Sequence, residues 1–140
     1  MTAEATVRKS DIQAYYEGLA RGEFLARKCR KCQKLTFPPT GCCEHCGSFA
    51  VEWATLSGKG TLLFATHNIA PACHPRFEKI APYVYGHVRL AEGVVVQAIV
   101  EGTPATPEAL RALFERGPVP VVATVMKMDD LPVLAFAEAR

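Results

Sequence analysis

The sequence has little excess charge of either sign, no long apolar run and no nucleotide-binding fingerprint. Its 16 Lys and Arg against 14 Asp and Glu give a formal net charge of +2 over 140 residues, which gives no general reason to bind nucleic acid or an anionic membrane. The longest apolar run, 94–100, contains Gln97 and is far shorter than the roughly 20 residues of a membrane span. GxSxG, P-loop and GxGxxG motifs are absent, which removes the commonest hydrolase and nucleotide-binding signatures.

The first eleven residues are polar and of mixed charge, without the apolar centre of a secretory signal. We therefore expect a cytoplasmic protein that does not associate with membranes. In that reducing compartment, clustered cysteines indicate metal or redox chemistry rather than disulfides.

Six cysteines are present, and four of them form two CxxC pairs separated by ten residues. The pairs are Cys29-x2-Cys32 and Cys43-x2-Cys46, and each is expected on a tight turn that presents two thiolates to one tetrahedral metal ion. Zinc is the expected metal, although a rubredoxin-type iron site uses the same spacing. A redox CxxC would need a thioredoxin-like βαβ context, which the sequence does not contain.

A site with four protein sulfurs has no open position for water or substrate, so we expect the metal to be structural. The ribbon segment has few large apolar residues, Leu35 and Phe37, so metal binding would supply stability that its core cannot. Gly47 is expected to take a positive φ after the second pair. Cys42 is a spare thiol that offers a Cys42-x3-Cys46 register as an alternative, and His45, expected to point to solvent, would serve as a ligand only if a cysteine were lost.

The periodicity predicts one helix before the cysteines and a β-rich region after them. Ile12, Tyr15, Tyr16 and Leu19 form one apolar face of a helix over 11–21, capped by Ser10 or Asp11 and ended by Gly22. Predicted strands cover 50–55, 61–69, 82–90, 94–101, 119–128 and 131–137, with a helix over 106–116 and a long loop over 67–79. After residue 55 there are five predicted strands, and a helix between the third and fourth of them is the order of an OB-fold barrel, with a Greek-key or SH3-like barrel as the alternative.

Several motifs resemble one family across nearly the whole chain. They are the cysteine spacing, Phe37-Pro38-Pro39, Gly47-Ser48, Trp53, Ser57-Gly58-Lys59-Gly60 and Pro82-Tyr83. These motifs resemble the thiolase-associated family that has a rubredoxin-like zinc ribbon followed by an OB fold, long filed as a domain of unknown function. Thr40 and Glu44 stand where that family usually has Arg and Pro.

The resemblance implies a mainly β protein with an N-terminal helical segment (1–26), a zinc ribbon (27–50) and a five-stranded OB-fold domain (51–140). It also implies a non-catalytic accessory subunit of a thiolase-type acyl-CoA acyltransferase, which assembles with a thiolase-like subunit as a hetero-oligomer. Members accompany enzymes of aromatic or lipid acyl-CoA degradation, and some are paired with steroid side-chain hydratases or aldolases. A coenzyme A thioester would then be a ligand shared with the partner.

Two regions of the sequence suggest contacts to acyl-CoA or to a partner. Five cations lie within residues 27–34 without an acid among them, and they could meet the phosphates of coenzyme A or serve as a solubilising surface. The other region is the loop over 70–83. The candidate contact residues are Lys28, Lys31, Phe37, Pro38, His67, Arg76, Lys79 and Tyr83.

No complete catalytic constellation is found. Cys73 and His74 are adjacent in a proline-rich loop and are more simply interpreted as a loop cysteine beside a solvated histidine. A stand-alone acyl-CoA hydrolase would need an unrecognised nucleophile such as Cys73. The alternative of a different class is a single-stranded nucleic-acid-binding protein, since zinc ribbons and OB folds both serve that role. The 8 basic and 9 acidic residues after residue 50 count against it.

Overall fold

The computed structural model describes residues 10–68 and 74–140. The elements in chain order are α1 (Asp11–Ala20), β1 (Leu25–Cys29), β2 (Leu35–Thr36), β3 (Val51–Thr55), β4 (Lys59–Asn68), α2 (Pro75–Glu78), β5 (Tyr83–Leu90), β6 (Val95–Glu101), α3 (Pro107–Glu115), β7 (Val119–Met128) and β8 (Leu131–Glu138). The mainly β architecture expected from the sequence is confirmed.

Helix α1 begins and ends where its capping residues predict. The Ser10 hydroxyl accepts a hydrogen bond from the Gln13 backbone N–H at 3.2 Å, which satisfies a donor that the first turn leaves free. Gly22 follows the helix with φ +82°, a left-handed conformation that glycine adopts without steric cost. Tyr15 and Leu19 are buried and Tyr16 is half-buried, whereas Ile12 in the first turn is exposed. Only the part of the predicted apolar face after the first turn therefore packs.

The ribbon contains a three-stranded antiparallel sheet of order β2-β1-β3. Central strand β1 pairs with β2 through Arg27 opposite Thr36 and with β3 from Leu25 opposite Thr55 to Cys29 opposite Val51. Strand β3 lies after residue 50, where we proposed that the OB-fold domain begins. The two proposed sequence units are therefore joined by backbone hydrogen bonds.

The remaining five strands close a barrel of order β4-β5-β6-β8-β7, in which β7 pairs back onto β4. Strands β6 and β8 run parallel, and every other pair is antiparallel. Helix α3 lies between β6 and β7 in sequence, as expected for an OB fold. A β-bulge falls between Leu62 and Phe64, and Gly86 faces it so closely that any Cβ would collide with the Phe64 carbonyl oxygen.

The prediction of a continuous loop over 67–79 is wrong for the residues that the structure describes. Strand β4 extends to Asn68, and the short helix α2 occupies Pro75–Glu78. The helix forms because the His74 Nδ1 accepts from the Arg76 backbone N–H at 3.1 Å and Pro75 supplies a helical φ at the first position. Cys73 lies outside the described residues.

Aromatic side chains join the helix, the ribbon and the barrel into one core. The Phe37 ring lies 5.8 Å from that of Tyr15 and 5.3 Å from that of Phe24, and Phe24 lies 6.4 Å from Phe136 in the barrel centre. Edge-to-face pairs at these distances stabilise beyond the area they bury. The ribbon is therefore joined to the barrel through Phe37 and Phe24, of which Phe24 contacts Phe136.

Among the described residues, the structure has no helix that is both long and apolar enough to span a membrane.

Candidate functional site

The four predicted ligands converge at one end of the ribbon. The Sγ atoms of Cys29, Cys32, Cys43 and Cys46 all lie within 4.8 Å of one another. Cys29 and Cys46 approach to 3.6 Å, and Cys32 and Cys43 to 3.5 Å. A tetrahedral ion with bonds of 2.3 Å separates its sulfurs by about 3.8 Å, while a disulfide needs about 2.05 Å. The donor set and its spacing fit a structural zinc ion.

Backbone amides surround the sulfurs in the two CxxC turns. The N–H groups of Lys31 and Cys32 donate to the Cys29 sulfur at 3.3 and 3.4 Å, and the His45 N–H donates to the Cys43 sulfur at 3.4 Å. These N–H donors stabilise negative charge on the sulfur atoms. A thiolate retains part of that charge when it binds a metal ion, so the same donors also favour the metal-bound form.

Each turn closes through a residue with positive φ. Gly47 (φ 76°) donates to the Cys43 carbonyl, and Gln33 (φ 64°) donates to the Cys29 carbonyl, both at 2.9 Å. The conformation of Gly47 confirms the prediction. Gln33 was missed because it is not a glycine, and the equal spacing after the two CxxC pairs is the signal that would have found it.

The metal-free thiols differ in their pKa values. Burial raises the pKa of Cys43, but the backbone N–H groups of Cys46 and His45 outweigh it and lower that pKa to about 6. For Cys32, the Lys34 backbone N–H lowers the pKa, while burial and the neighbouring thiols raise it to about 11. Metal binding, which needs thiolates, must therefore displace a proton from Cys32 at neutral pH.

The two side chains beside the metal site have other roles. Cys42 is outside the four-sulfur cluster, so the Cys42-x3-Cys46 register is not formed. His45 is exposed, as predicted, but its Nε2 also lies 2.8 Å from the Leu35 carbonyl oxygen and 3.3 Å from a Glu44 carboxylate oxygen. His45 thus ties the second CxxC turn to β2.

The cluster of cations over 27–34 is partly neutralised by acids from elsewhere in the chain. The Arg27 guanidinium bonds Asp11 at 2.5 Å and lies 3.7 Å from the centroid of the Trp53 ring. Arg30 pairs with Glu52 at 3.1 Å. Lys31 and Lys34 are exposed, while Lys28 is half-buried. Only the three lysines therefore remain for phosphate contacts.

Arg76 and Lys79 both face the same carboxylate. Lys79 forms an ion pair and a hydrogen bond with Asp129, and Arg76 lies 4.0 Å from its other oxygen. The Lys79 hydrogen bond and charge hold the pKa of Asp129 below its usual value, with a smaller contribution from Arg76. Because Asp129 lies in the β7–β8 turn, the two cations fasten α2 to that turn.

Phe37 and Tyr83 meet in a groove of about 650 Å³ between α1, the ribbon and the barrel. We call it the aromatic groove, and its lining is Tyr15, Tyr16, Phe37, Asn68, Phe77, Tyr83, Tyr85, Gln97, Ala98, Ile99, Val133 and Leu134. Pro38 is exposed beside it, and His67 is half-buried near the end of β4. Phe37 and Tyr83 are thus the two candidate contact residues that the groove brings together.

Most of the groove was not foreseen from the sequence. Two signals could have found part of it. Tyr83 and Tyr85 alternate with a buried valine on β5 and share its outer face, and Tyr15 and Tyr16 are adjacent on α1. The remaining lining residues come from elements that are distant in sequence.

Comparison with models of known protein families identifies the family of this chain. Residues 17–52 match the model of the ChsH2 rubredoxin-like zinc ribbon domain. Residues 53–112 match the model of the ChsH2 C-terminal OB-fold domain. The chain belongs to the ChsH2 family. The zinc-ribbon and OB-fold resemblance is thereby confirmed.

Two curated relatives of this ChsH2-family chain are named as acyl-CoA proteins. A probable enoyl-CoA hydratase alpha subunit of Thermomonospora curvata is 36% identical over 84 residues, which are 59% of this chain and 25% of that protein. The chain therefore spans only about a quarter of that relative. The benzoylsuccinyl-CoA thiolase subunit BbsA of Thauera aromatica is 29% identical over 106 residues, 71% of each chain.

Two solved structures share the fold. A chain of the Ltp2-ChsH2(DUF35) aldolase is 26% identical and superposes with a TM-score of 0.74, covering 98% of this chain and 100% of that one. A protein of unknown function from the DUF35 family of Sulfolobus solfataricus is 13% identical, with a TM-score of 0.56 over 96% of this chain and 89% of that one. The second likeness concerns the fold alone.

Proposed function

We propose that this ChsH2-family chain is a non-catalytic, zinc-stabilised accessory subunit of a thiolase-type acyl-CoA acyltransferase complex that acts in aromatic or lipid acyl-CoA degradation. The observation that carries the proposal is the whole-chain superposition on a chain of the Ltp2-ChsH2(DUF35) aldolase. The thiolase subunit BbsA is also a relative over most of both chains. Family membership supports a subunit of acyl-CoA metabolism, and the thiolase-like partner is our inference.

The metal site supports a structural rather than a catalytic contribution. Four cysteine sulfurs fill a tetrahedral site, so a bound zinc ion keeps no position for substrate. The ion would instead hold the CxxC turns against the sheet of β1. The partner subunit would then catalyse acyl transfer.

Exposed apolar side chains support assembly with a partner protein. Phe49, just after the second CxxC turn, is 84% exposed, and Phe64, at the β4 bulge, is 53% exposed. Leu63 and Val122 are also exposed on the barrel. Large aromatic side chains dominate the binding energy of interfaces, so we propose Phe49 and Phe64 as anchors to the thiolase-like subunit.

Contact with coenzyme A is proposed at two places. Lys28 and Lys31 remain candidates for the phosphates, because Arg27 and Arg30 are engaged with acids. Phe37 and Tyr83 are candidates for the acyl end, because they line the aromatic groove. The ion pairs of Arg76 and Lys79 with Asp129 make these two cations weaker candidates.

Co-purification with a candidate thiolase-like protein tests the proposal. The wild-type chain should elute with the partner as one complex, and Phe49→Ser or Phe64→Ser should weaken the complex at least tenfold. Ile12→Ser is the matched control, since Ile12 is also exposed but lies on α1. Absence of any complex with the wild-type chain would contradict the proposal.

The single-stranded nucleic-acid hypothesis has weaker support. Its electrostatic requirement is a continuous basic track, and two of the five cations over 27–34 are paired with Asp11 and Glu52. Salt-dependent binding of an oligonucleotide to the zinc-loaded chain would favour it.

A further inference from the structure

The aromatic groove has a lining without a charged residue. Its twelve lining residues include no Asp, Glu, Lys, Arg or His. The polar atoms that it offers belong to neutral amides and tyrosine hydroxyls. A phosphate or carboxylate inside this groove would lose water without gaining a countercharge, which costs several kcal/mol. The groove therefore selects a neutral group.

Two clusters of aromatic rings line the groove. One comes from α1 and the ribbon, where Tyr15 lies 5.3 Å from Tyr16 and 5.8 Å from Phe37. The other comes from α2 and β5, where Phe77 lies 5.6 Å from Tyr83. The volume of about 650 Å³ lies within the roughly 300–1,000 Å³ of small-molecule sites. Aromatic surfaces of this kind favour a flat apolar group such as a ring.

The Tyr83 hydroxyl in the groove can donate a hydrogen bond to a ligand. The Asn68 side-chain amide donates to the Tyr83 hydroxyl oxygen at 3.1 Å, so the Tyr83 O–H proton is directed elsewhere. Within residues 10–68 and 74–140 the structure shows no acceptor for that proton. A carbonyl oxygen on the bound group would supply the acceptor.

We propose that the aromatic groove binds the neutral, ring-bearing acyl group of a coenzyme A thioester, with its carbonyl oxygen accepting from Tyr83, while the phosphates of coenzyme A remain outside. The acyl-thioester assignment rests on the function proposed above, whereas selection of a neutral ring rests on the lining alone. The nearby cations Arg76 and Lys79 do not alter the preference of the groove for a neutral group, because both form ion pairs with Asp129.

Binding of an uncharged probe to the full-length, zinc-loaded chain tests the proposal. The probe is S-phenacyl-N-acetylcysteamine, a stable neutral ketone with one ring. It should shift the NMR signals of the Asn68 and Gln97 side-chain amides in a saturable manner. S-methyl-coenzyme A, which carries the phosphates and the adenine but no ring-bearing acyl group, should leave these signals unchanged. No saturable shift with the neutral probe, or equal shifts with S-methyl-coenzyme A, would overturn the proposal.

A matched pair of variants locates the site. Gln97 and Val95 are both exposed on β6, two residues apart, but only Gln97 lines the aromatic groove. Val95 instead lines a cleft beside the ribbon. Gln97→Trp should abolish probe binding, and Val95→Trp should preserve it. Equal loss in both variants, or retention in Gln97→Trp, would place the probe elsewhere and overturn the proposal.

A variant of Tyr83 tests its hydrogen bond to the ligand carbonyl separately. Tyr83→Phe should weaken binding of the ketone probe up to tenfold, the value of one hydrogen bond. Binding of S-phenethyl-N-acetylcysteamine, which keeps the acetamide but lacks the ketone carbonyl, should be unaffected. Equal weakening of both probes would contradict the carbonyl contact.

Failure of this proposal can be distinguished from failure of the proposed function. A partner complex with the wild-type chain but no binding of the neutral probe would remove the groove proposal alone. Probe binding without any partner complex would remove the proposed function and keep the groove as a site for neutral rings. If Gln97→Trp blocks assembly and the isolated chain binds no probe, the groove holds a partner side chain and the proposal is wrong.

Discussion

The guanidinium of Arg27 lies 3.7 Å from the centroid of the Trp53 ring, directly across the register that joins β1 to β3. The same guanidinium bonds Asp11 at the start of α1. One side chain therefore links the helix to the ribbon and covers the only tryptophan of the chain.

Replacement of Arg27 should loosen this link. Arg27→Met keeps much of the apolar stem but removes the stacked guanidinium and the ion pair, and we expect a loss of about 1–2 kcal/mol. Trp53 fluorescence follows unfolding without competing tryptophans. Arg30→Met is the control, because the Arg30–Glu52 pair is exposed, and an equal loss in both variants would contradict a special role for Arg27.

Loss of one ligand should release the metal and unfold the ribbon. Cys29→Ser or Cys43→Ser removes a buried thiolate, and zinc contributes on the order of 10–16 kcal/mol in small zinc modules. Metal content by mass spectrometry and thermal melting check the result. Cys42→Ser should retain one zinc ion per chain, and a ligand variant with full zinc and normal melting would refute the site.

Zinc affinity should fall as the pH is lowered. At pH 7 the Cys43 thiol, with a pKa of about 6, is already mostly ionised, whereas Cys32, with a pKa of about 11, must release its proton on binding. Below pH 6 the Cys43 proton also competes, so the decline should steepen there. Competition with a chelator of known pH dependence measures the zinc affinity at each pH. An affinity that is constant from pH 5 to 8 would contradict this assignment.

Removal of the Asp129 charge should release α2 from the barrel. Asp129→Asn keeps a residue that tolerates the observed φ of 57° but deletes the charge that holds Lys79 and Arg76. Protection of the amides over residues 76–80, measured relative to the intrinsic exchange rate at each pH, should fall. The wild type should lose this protection only at a pH below the usual pKa of an aspartate, because the pKa of Asp129 is lowered. Asp130→Asn should leave this protection unchanged. Slow exchange in Asp129→Asn would mean that apolar packing of Phe77 and Ile80 suffices.

Local patterns in the sequence predict the metal site and the order of the strands. The metal ligands sit at fixed positions in two tight turns, so their spacing alone brings the sulfurs together. The barrel strands follow from alternation along each segment. The cations over 27–34 could not be interpreted correctly in this way, because Arg27 and Arg30 find their acids 16 and 22 residues away.

The aromatic groove is even less predictable from local sequence patterns. Its lining combines α1, the ribbon, α2 and four barrel strands, and the placement of Tyr16 and Leu134 in one groove depends on how β8 closes the barrel. Likewise, the exposure of Phe64 follows from a bulge opposite Gly86. Alternation along β5 signals only the Tyr83 and Tyr85 part of the groove, and no periodicity signals the exposure of Phe64.

Acyl-transfer activity of the thiolase-like partner, assayed with and without this chain, tests the accessory role. The partner alone should have low activity, the zinc-loaded chain should raise that activity at least tenfold, and Cys43→Ser should not raise it. Equal activity with the wild-type chain, with the variant and with neither would refute the accessory role.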